Sequence, residues 1–336
     1  MKKLIMALAM AITVALSANT ASADIQVNKL FSPKSQNVKA RLVIDIGPYS
    51  YHSWILKGIQ DGTFAKYGVD IEFVGTGPGS VKTGLAITAG KAELGYQDYS
   101  GVVLVNSKQA TPKFKTIFVI DDKVQDAIWS LKGSGINKFD DLDGKTFGDF
   151  ITGTTKLLLP GITKAKVNPV NMSFSALVPG LVTGKVDTIG GYLTTTKFNL
   201  QKVGIVEYNV IKLSDVFPMG VSRVITVNSD WANANPKAVV GIRSAIRELL
   251  PNFIKNPKPS VDTLSGPLVS TQEKRDLELA RAKYAIEELV WTNNVKVNGF
   301  SNAKVLGPRL KEYTDLLVSR LGLPNRHPDN TYFDLD

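Results

Sequence analysis

The chain of 336 residues has no cysteine. A protein made from it has no disulfide and no thiol for an acyl anchor, so burial alone must hold it together. A chain of this length can bury a large core. Histidine is almost as scarce, with only His52 and His327 present. That pair without cysteine excludes a structural zinc site. No EF-hand spacing occurs either, and Asp140-Asp141-Leu142-Asp143 reads as the cap of a short turn. Beyond the first two dozen residues, no apolar run is long enough to cross a membrane. A dense basic block is also missing. The 40 Lys+Arg and 30 Asp+Glu are spread along the chain for a formal charge of +10, so there is no nucleic-acid tail. Aromatic residues do not interleave with Arg/Lys clusters as a strand-stacking surface requires. The positive balance suits an anionic solute or simple solubility.

What is present begins with an export signal. Met1-Lys2-Lys3 is a short basic start, Leu4 to Leu16 is almost wholly apolar, and Ala21-Ser22-Ala23 is a small-residue cleavage site. Residues 1–23 are therefore expected to be a signal peptide cleaved near Ala23, with the mature chain starting near Asp24.

Residues 24–40 read as a polar leader. A strand is expected over Arg41–Ile46, a helix over His52–Lys66 with Trp54, Ile55, Ile59 and Phe64 inward, and a strand over Val69–Val74. The loop Gly75–Gly79 leads to Ser80, placed to cap a helix whose inner residues include Val81 and Leu85. A third strand is expected over Glu93–Gln97, a helix over Tyr99–Ser107, a strand over Phe114–Ile120, and an extended run over Asp126–Leu131. A second alternating unit starts at Lys145–Phe150. It continues through a helix after Thr152, a strand near Val167–Phe174, a helix over Ala176–Thr183 and the strand containing Asp187-Thr188-Ile189. The strand Arg223–Asn228 precedes a block of long helices: one from Asn235-Pro236, one opened by a Ser270/Glu273 capping box, and one over Val305–Leu321. The spacing predicts an α/β fold with mainly parallel sheets, in two lobes joined by crossings near Ile128 and Val221. Lobe 1 takes residues 24–128 and 223–336, lobe 2 takes 129–222, and the ligand cleft lies between them, beyond the strands' carboxyl ends.

Pro48-Tyr49-x-x-His52-x-Trp54, then Gly58, Gly62-x-Phe64 and Gly68-Val69-Asp70-Ile71-Glu72, resemble the opening of the NMT1/THI5-like periplasmic substrate-binding proteins. That group is related to the nitrate-, taurine- and alkanesulfonate-binding proteins. Three more blocks follow in order: Gly77-Pro78-Gly79-Ser80 with Leu85, Gly90 and Glu93-Leu94-Gly95; Asp141-Leu142-Asp143-Gly144-Lys145; and Leu181-Val182-Thr183-Gly184-Lys185-Val186-Asp187. The resemblance covers about residues 41–200. It implies a type II two-lobe periplasmic binding protein that closes on a small solute and delivers it to the transmembrane subunits of an ABC permease. Such a protein is expected to be a soluble periplasmic monomer without cofactor, metal or nucleic-acid partner, and not an enzyme. Eukaryotic relatives that make the thiamine pyrimidine depend on a cysteine-rich iron-binding segment, which this cysteine-free chain lacks.

The candidate ligand-binding residues sit where strands end. Tyr49 and His52 follow the first strand and offer an aromatic face and a hydrogen bond, although Trp54 beside them reads as core and His52 can equally cap the helix. Gly79 and Ser80 open a helix whose N–H groups suit an anion or carbonyl, or simply form a tight turn. Gln97, Asp98 and Tyr99 suit an amino- or hydroxyl-bearing ring, with Asp98 alternatively a helix cap. Thr152, Thr154 and Thr155 are the second lobe's hydroxyls, and Tyr192 closes from that lobe, while Phe174 and Phe217 read as core. Arg223 is the one basic residue placed near a crossing. This set points to a small planar heterocycle such as an aminopyrimidine thiamine precursor; the alternative is an organic anion such as an alkanesulfonate, taurine or an aromatic carboxylate.

Overall fold

The computed structural model describes residues 36–77, 79–150 and 153–335. The expected signal peptide, its cleavage site and Thr152 lie outside the described residues. The strands are β1 (Val38–Ile44), β2 (Val69–Thr76), β3 (Leu94–Asp98), β4 (Phe114–Val119), β5 (Asp126–Leu131), β6 (Thr146–Asp149), β7 (Asn168–Asn171), β8 (Thr188–Tyr192), β9 (Tyr208–Lys212) and β10 (Arg223–Asn228). They form two five-stranded sheets, in the orders β2-β1-β3-β10-β4 and β7-β6-β8-β5-β9.

The sheets are mixed, which corrects the mainly parallel expectation. β10 runs antiparallel to β3 and β4, and β5 runs antiparallel to β8 and β9. These are the first strands the chain lays down on entering the second sheet and on returning to the first. The changes of sheet occupy residues 120–125 and 213–222. Val221 lies in the second passage, whereas Ile128 is already inside β5, paired with Gly190 and Ile211.

Local departures have local causes. β1 begins three residues early because Val38 and Lys39 pair with Val69 and Asp70, extending the apolar run into an alternating one. The helix expected over His52–Lys66 breaks into a tight turn at Ser50–His52, a helix Ser53–Gln60 and a short turn Thr63–Lys66. Gly62 at φ 73 takes the left-handed bend between them. Trp54, Ile55, Ile59 and Phe64 are nevertheless all buried in the first core. The helix Ser80–Thr88 turns Thr83, Gly84 and Ile87 inward and leaves Leu85 44% exposed. Gly84 sets that rotation, since a Cβ there would stand 2.6 Å from the Phe114 ring. The cap of the helix Gln272–Ala285 is Thr271, accepting from Lys274 N, rather than Ser270.

Three apolar clusters hold the molecule. One packs Leu42, Trp54, Tyr96, Ile242 and Phe253 on one face of the first sheet. Another joins Tyr99, Phe114 and Tyr313 to Ile128 and Phe147 of the second sheet, and a third gathers Trp129, Leu181 and Ile189. Among the described residues no helix is long and apolar enough to cross a membrane.

One contact in the first cluster is tight enough to test. The helix Pro236–Lys255 meets the backbone at Gly241, where a Cβ would stand 2.2 Å from the Tyr67 carbonyl oxygen. Gly241→Ala should therefore destabilise the fold by about 1–3 kcal/mol through overpacking, although alanine is the better helix former by about 1 kcal/mol. A urea midpoint equal to or above wild type would remove that contact from the account.

Candidate functional site

Hydroxyls and carboxyls from both sheets gather where the strands end. Asp45 follows β1, and its Oδ2 accepts from Ser80 Oγ at 2.7 Å. Ser80 is the first helical residue behind Gly79, so its side chain is free to turn inward; Oγ also accepts from Asp98 N at 2.9 Å. Asp98 ends β3, and Ser222, in the return passage, donates to its Oδ1. From the second sheet, Thr154 and Thr155 donate to Asp126 Oδ1 at 2.7 and 2.9 Å, and the Tyr192 hydroxyl lies 3.2 Å from Thr154 Oγ1. Asp149, at the end of β6, accepts from Phe150 N and Lys156 N at 2.8 and 2.9 Å. Gly153 and Gly190 leave it room, because a Cβ at either would stand within 2.7 Å of its carboxylate oxygens. Two backbone bonds pin the passages: Tyr99 N to Ser222 O and Leu193 N to Gln125 O, each 2.9 Å.

Burial dominates the electrostatics. It raises the Asp45, Asp98 and Asp126 carboxyls above the usual range, and the charge of Asp98 raises both Asp45 and Asp126 further. Ser222, Tyr192, Arg223 and Gln125 oppose the shift at Asp98. Those partners come from both sheets and from both passages. Asp149 is pushed up to about 7 by burial. His52 is held well below its ordinary value by burial, then by Arg223 and Arg281, so its ring is neutral. Its Nδ1 accepts from Tyr49 N at 3.1 Å, which leaves the proton on Nε2. That nitrogen makes no hydrogen bond among the described residues, and the nearest carboxylate oxygen, of Asp45, is 4.0 Å away.

Arg223 is buried and paired through two nitrogens with Asp121. Its guanidinium carbon lies 4.0 Å from the centre of the Tyr51 ring, and its Nη1 has no partner. Tyr49 is half-buried, with the Arg281 guanidinium 4.6 Å from its ring centre and Phe174 of the second unit 6.5 Å away. Phe150 lies edge-on to Phe174 at 6.2 Å.

The structure therefore brings together Tyr49, His52, Ser80, Asp98, Thr154, Thr155, Tyr192 and Arg223, and turns others away. Tyr99 is a correction: as the first residue of the helix Tyr99–Asn106 it rotates into the core, bonds Thr314 Oγ1 at 2.6 Å and stacks on Tyr313. Gln97 is another, since alternation along β3 sends it to the opposite face from Asp98, where it donates to Thr226 Oγ1 at 3.0 Å. Gly79 offers no free donor, because its N–H goes to Asp45 O and that of Gly77 to Ile44 O. Asp98 stands at a helix N-cap without a side-chain cap bond, whereas His52 makes none at the start of Ser53–Gln60 but caps the preceding turn Ser50–His52 by accepting from Tyr49 N. Phe217 is core, beside Tyr313.

Sequence reasoning missed Asp45, Asp126, Asp149, Ser222, Glu278 and Arg281. Asp45 and Asp149 each close an expected strand run, and that position was signal enough to include them. Asp126 opens its strand, which matters only once β5 is seen to run antiparallel. Glu278 and Arg281 lie in a polar helical stretch with no local signal. Among the described residues, no group of three or more His, Cys, Asp or Glu could hold a metal ion.

The family model described as NMT1/THI5 like matches residues 49–260. No curated protein matches the chain in sequence. Among solved structures, the alkanesulfonate-binding protein SsuA of Xanthomonas axonopodis pv. citri, bound to MOPS, is 14% identical, with a TM-score of 0.66 over 90% of this chain and 100% of that one. The aliphatic sulphonate binding protein SsuA of Escherichia coli is 14% identical, with a TM-score of 0.62 over 87% and 91%. The nitrate-binding protein NrtA of Synechocystis PCC 6803 is 13% identical, with a TM-score of 0.59 over 88% and 87%. Likeness at that identity shows a shared fold.

Proposed function

The chain belongs to the NMT1/THI5-like family, and from that premise we propose that it is the periplasmic solute-binding receptor of an ABC importer. As such a receptor it acts by binding and not as an enzyme. In this reading each sheet is the centre of one lobe: because Ile128 lies inside β5, the boundary expected there falls back to the passage 120–125, so that residues 126–212 form the second lobe and 36–119 with 223–335 the first. The passages 120–125 and 213–222 act as hinges, and the leader is removed near Ala23 on export. One observation carries the reading: groups of both sheets converge on one place, where Asp98 of the first accepts from Ser222 and is favoured in its charged form by Tyr192 of the second, and where Tyr49 faces Phe174 at 6.5 Å. A solute lodged there touches both lobes and shifts the open–closed equilibrium by its differential affinity for the closed form. The permease subunits then receive the closed receptor.

For the solute, the similar solved structures favour a small anion over the aminopyrimidine expected from the sequence, since their names carry alkanesulfonate and sulphonate, which are organic, and nitrate. Arg223 Nη1 and His52 Nε2, both buried and without partners, are donors that anion oxygens would take. A specific observation favours the amino-bearing heterocycle as a second reading: Asp45, Asp98 and Asp126 are acceptors suited to an amine. Thermal-shift screening of the exported protein separates the two, because a ligand of the native form raises its apparent stability. MOPS, taurine, nitrate or an aromatic acid should raise the melting temperature; stabilisation by aminopyrimidines alone would reverse the assignment. No response to any of them would exclude both classes.

A further inference from the structure

The helix Gln272–Ala285 flanks the candidate site and carries two fully buried charges, Glu278 and Arg281, one turn apart. Ala282 of this helix, and Ile286 and Val290 just beyond it, pack into the first-sheet core, while Tyr284 and Leu289 pack into the second sheet's, so this segment bridges the two. Glu278 Oε2 accepts from Ser50 N at 3.1 Å, in the loop that presents Tyr49. Arg281 reaches the other way: its Nη1 donates to Thr194 O at 2.9 Å, at the start of the second unit's helix Leu193–Lys202. Its guanidinium also lies between Tyr49 and Phe198, at 4.6 and 5.2 Å from the ring centres. The two charges face each other at 3.2 Å.

We propose that Glu278 and Arg281 are positioning residues that latch the second sheet's helix Leu193–Lys202 to the Tyr49 loop, and so set how readily the protein closes. This rests on the two-lobe reading above. Separating the sheets breaks the Arg281–Thr194 bond and exposes both charges to water. Closing them desolvates a pair held by few other bonds. Such a pair contributes little net stability, but removal of one member leaves the other charged and buried without compensation, which penalises the closed form alone. Replacing both members by apolar residues removes that penalty. The latch therefore predicts a sign pattern that a merely structural role does not produce.

The absence of cysteine lets a spin-label pair be introduced at exposed Lys91, on the first sheet's side, and exposed Val206, on the second's. Label separations are then read by pulsed electron resonance, with MOPS, taurine and an aminopyrimidine as probes. Arg281→Met should raise the ratio of the open to the closed component about tenfold. Glu278→Gln, which keeps an acceptor for Ser50 N, should move it the same way, and the double variant Glu278→Leu/Arg281→Met should return it to wild type or below. Single variants with the wild-type distribution, in a protein whose separation does respond to a probe, would overturn the latch and leave the receptor reading standing. One fixed separation in wild type and variants, with and without every probe, would overturn the two-lobe reading and the latch with it.

Discussion

Asp121→Ala should be among the most damaging single substitutions in the chain, lowering stability by about 3–5 kcal/mol. Asp121 stands on the first passage between the sheets and Arg223 opens β10 directly after the second, and both are buried. Their bidentate pair is reinforced by backbone bonds from Ile120 N and Asp121 N to Arg223 O, at 2.9 and 3.1 Å. Burial pushes the Asp121 carboxyl up to about 6 in spite of the guanidinium beside it. Desolvation outweighs the guanidinium at Asp121, whereas at Arg223 desolvation is outweighed by the nearby charges, Asp121 first, which raise it; a buried pair of this kind adds little net stability, while each member depends on the other. Deleting the carboxylate alone strands a guanidinium whose Nη1 already lacks a partner. The paired replacement Asp121→Leu/Arg223→Met should recover most of the loss, because two apolar side chains need no partner. Urea midpoints of the single and double variants decide the matter. A single variant within about 0.5 kcal/mol of wild type, or a double variant no better than the single, would mean that the passages are held by something else.

Much of the first unit was legible because its elements advertise themselves. β10 has the bounds its β-branched run predicts, and β4 and the helix Tyr99–Asn106 end within a residue of expectation. Strand direction was not legible. A run buried on both faces reads the same whether it lies parallel or antiparallel, so β5 and β10 concealed the mixed character of both sheets. β9, with the sequence YNVIK, carries the aromatic and β-branched residues of a strand, but it is short, and only the fold places it as the edge partner of β5. The helix Leu193–Lys202 opens on three threonines, poor helix formers. It is fixed instead by tertiary bonds, from Leu193 N to Gln125 O and from Thr194 Oγ1 to Gln125 Oε1.

The same division applies to the candidate site. Looking just beyond strand ends located Tyr49, Asp98, Thr154, Thr155 and Tyr192, which the structure brings together. It failed at Tyr99, one residue past Asp98, because helical rotation begins there and carries the ring into the core. It also undervalued single carboxyls. An isolated aspartate at a strand end resembles a helix cap, and only the fold reveals that Asp45, Asp98 and Asp126 share one field.

That shared field gives the solute's charge a pH signature. Burial raises all three carboxyls, and the charge of Asp98 raises Asp45 and Asp126 further, so the solute-free site titrates above the ordinary aspartate range. An anion entering it stabilises the protonated forms and binds with proton uptake, so its affinity should rise as pH falls. Each proton taken up changes affinity by as much as about tenfold per pH unit. A protonated amine does the reverse: it favours the carboxylates, releases protons, and binds more tightly as pH rises. Asp98→Asn holds that position in a neutral state that imitates the protonated acid. For an anion it should flatten the profile and strengthen binding at the alkaline end; for an amine it should weaken binding across the range, by about 1–3 kcal/mol for the lost charged acceptor. Calorimetric titrations of the best thermal-shift ligand, from about pH 5 to about pH 8 and in buffers of different ionisation heat, give both the affinity slope and the proton count. A flat profile with no proton exchange, unchanged by Asp98→Asn, would place the solute away from these carboxyls.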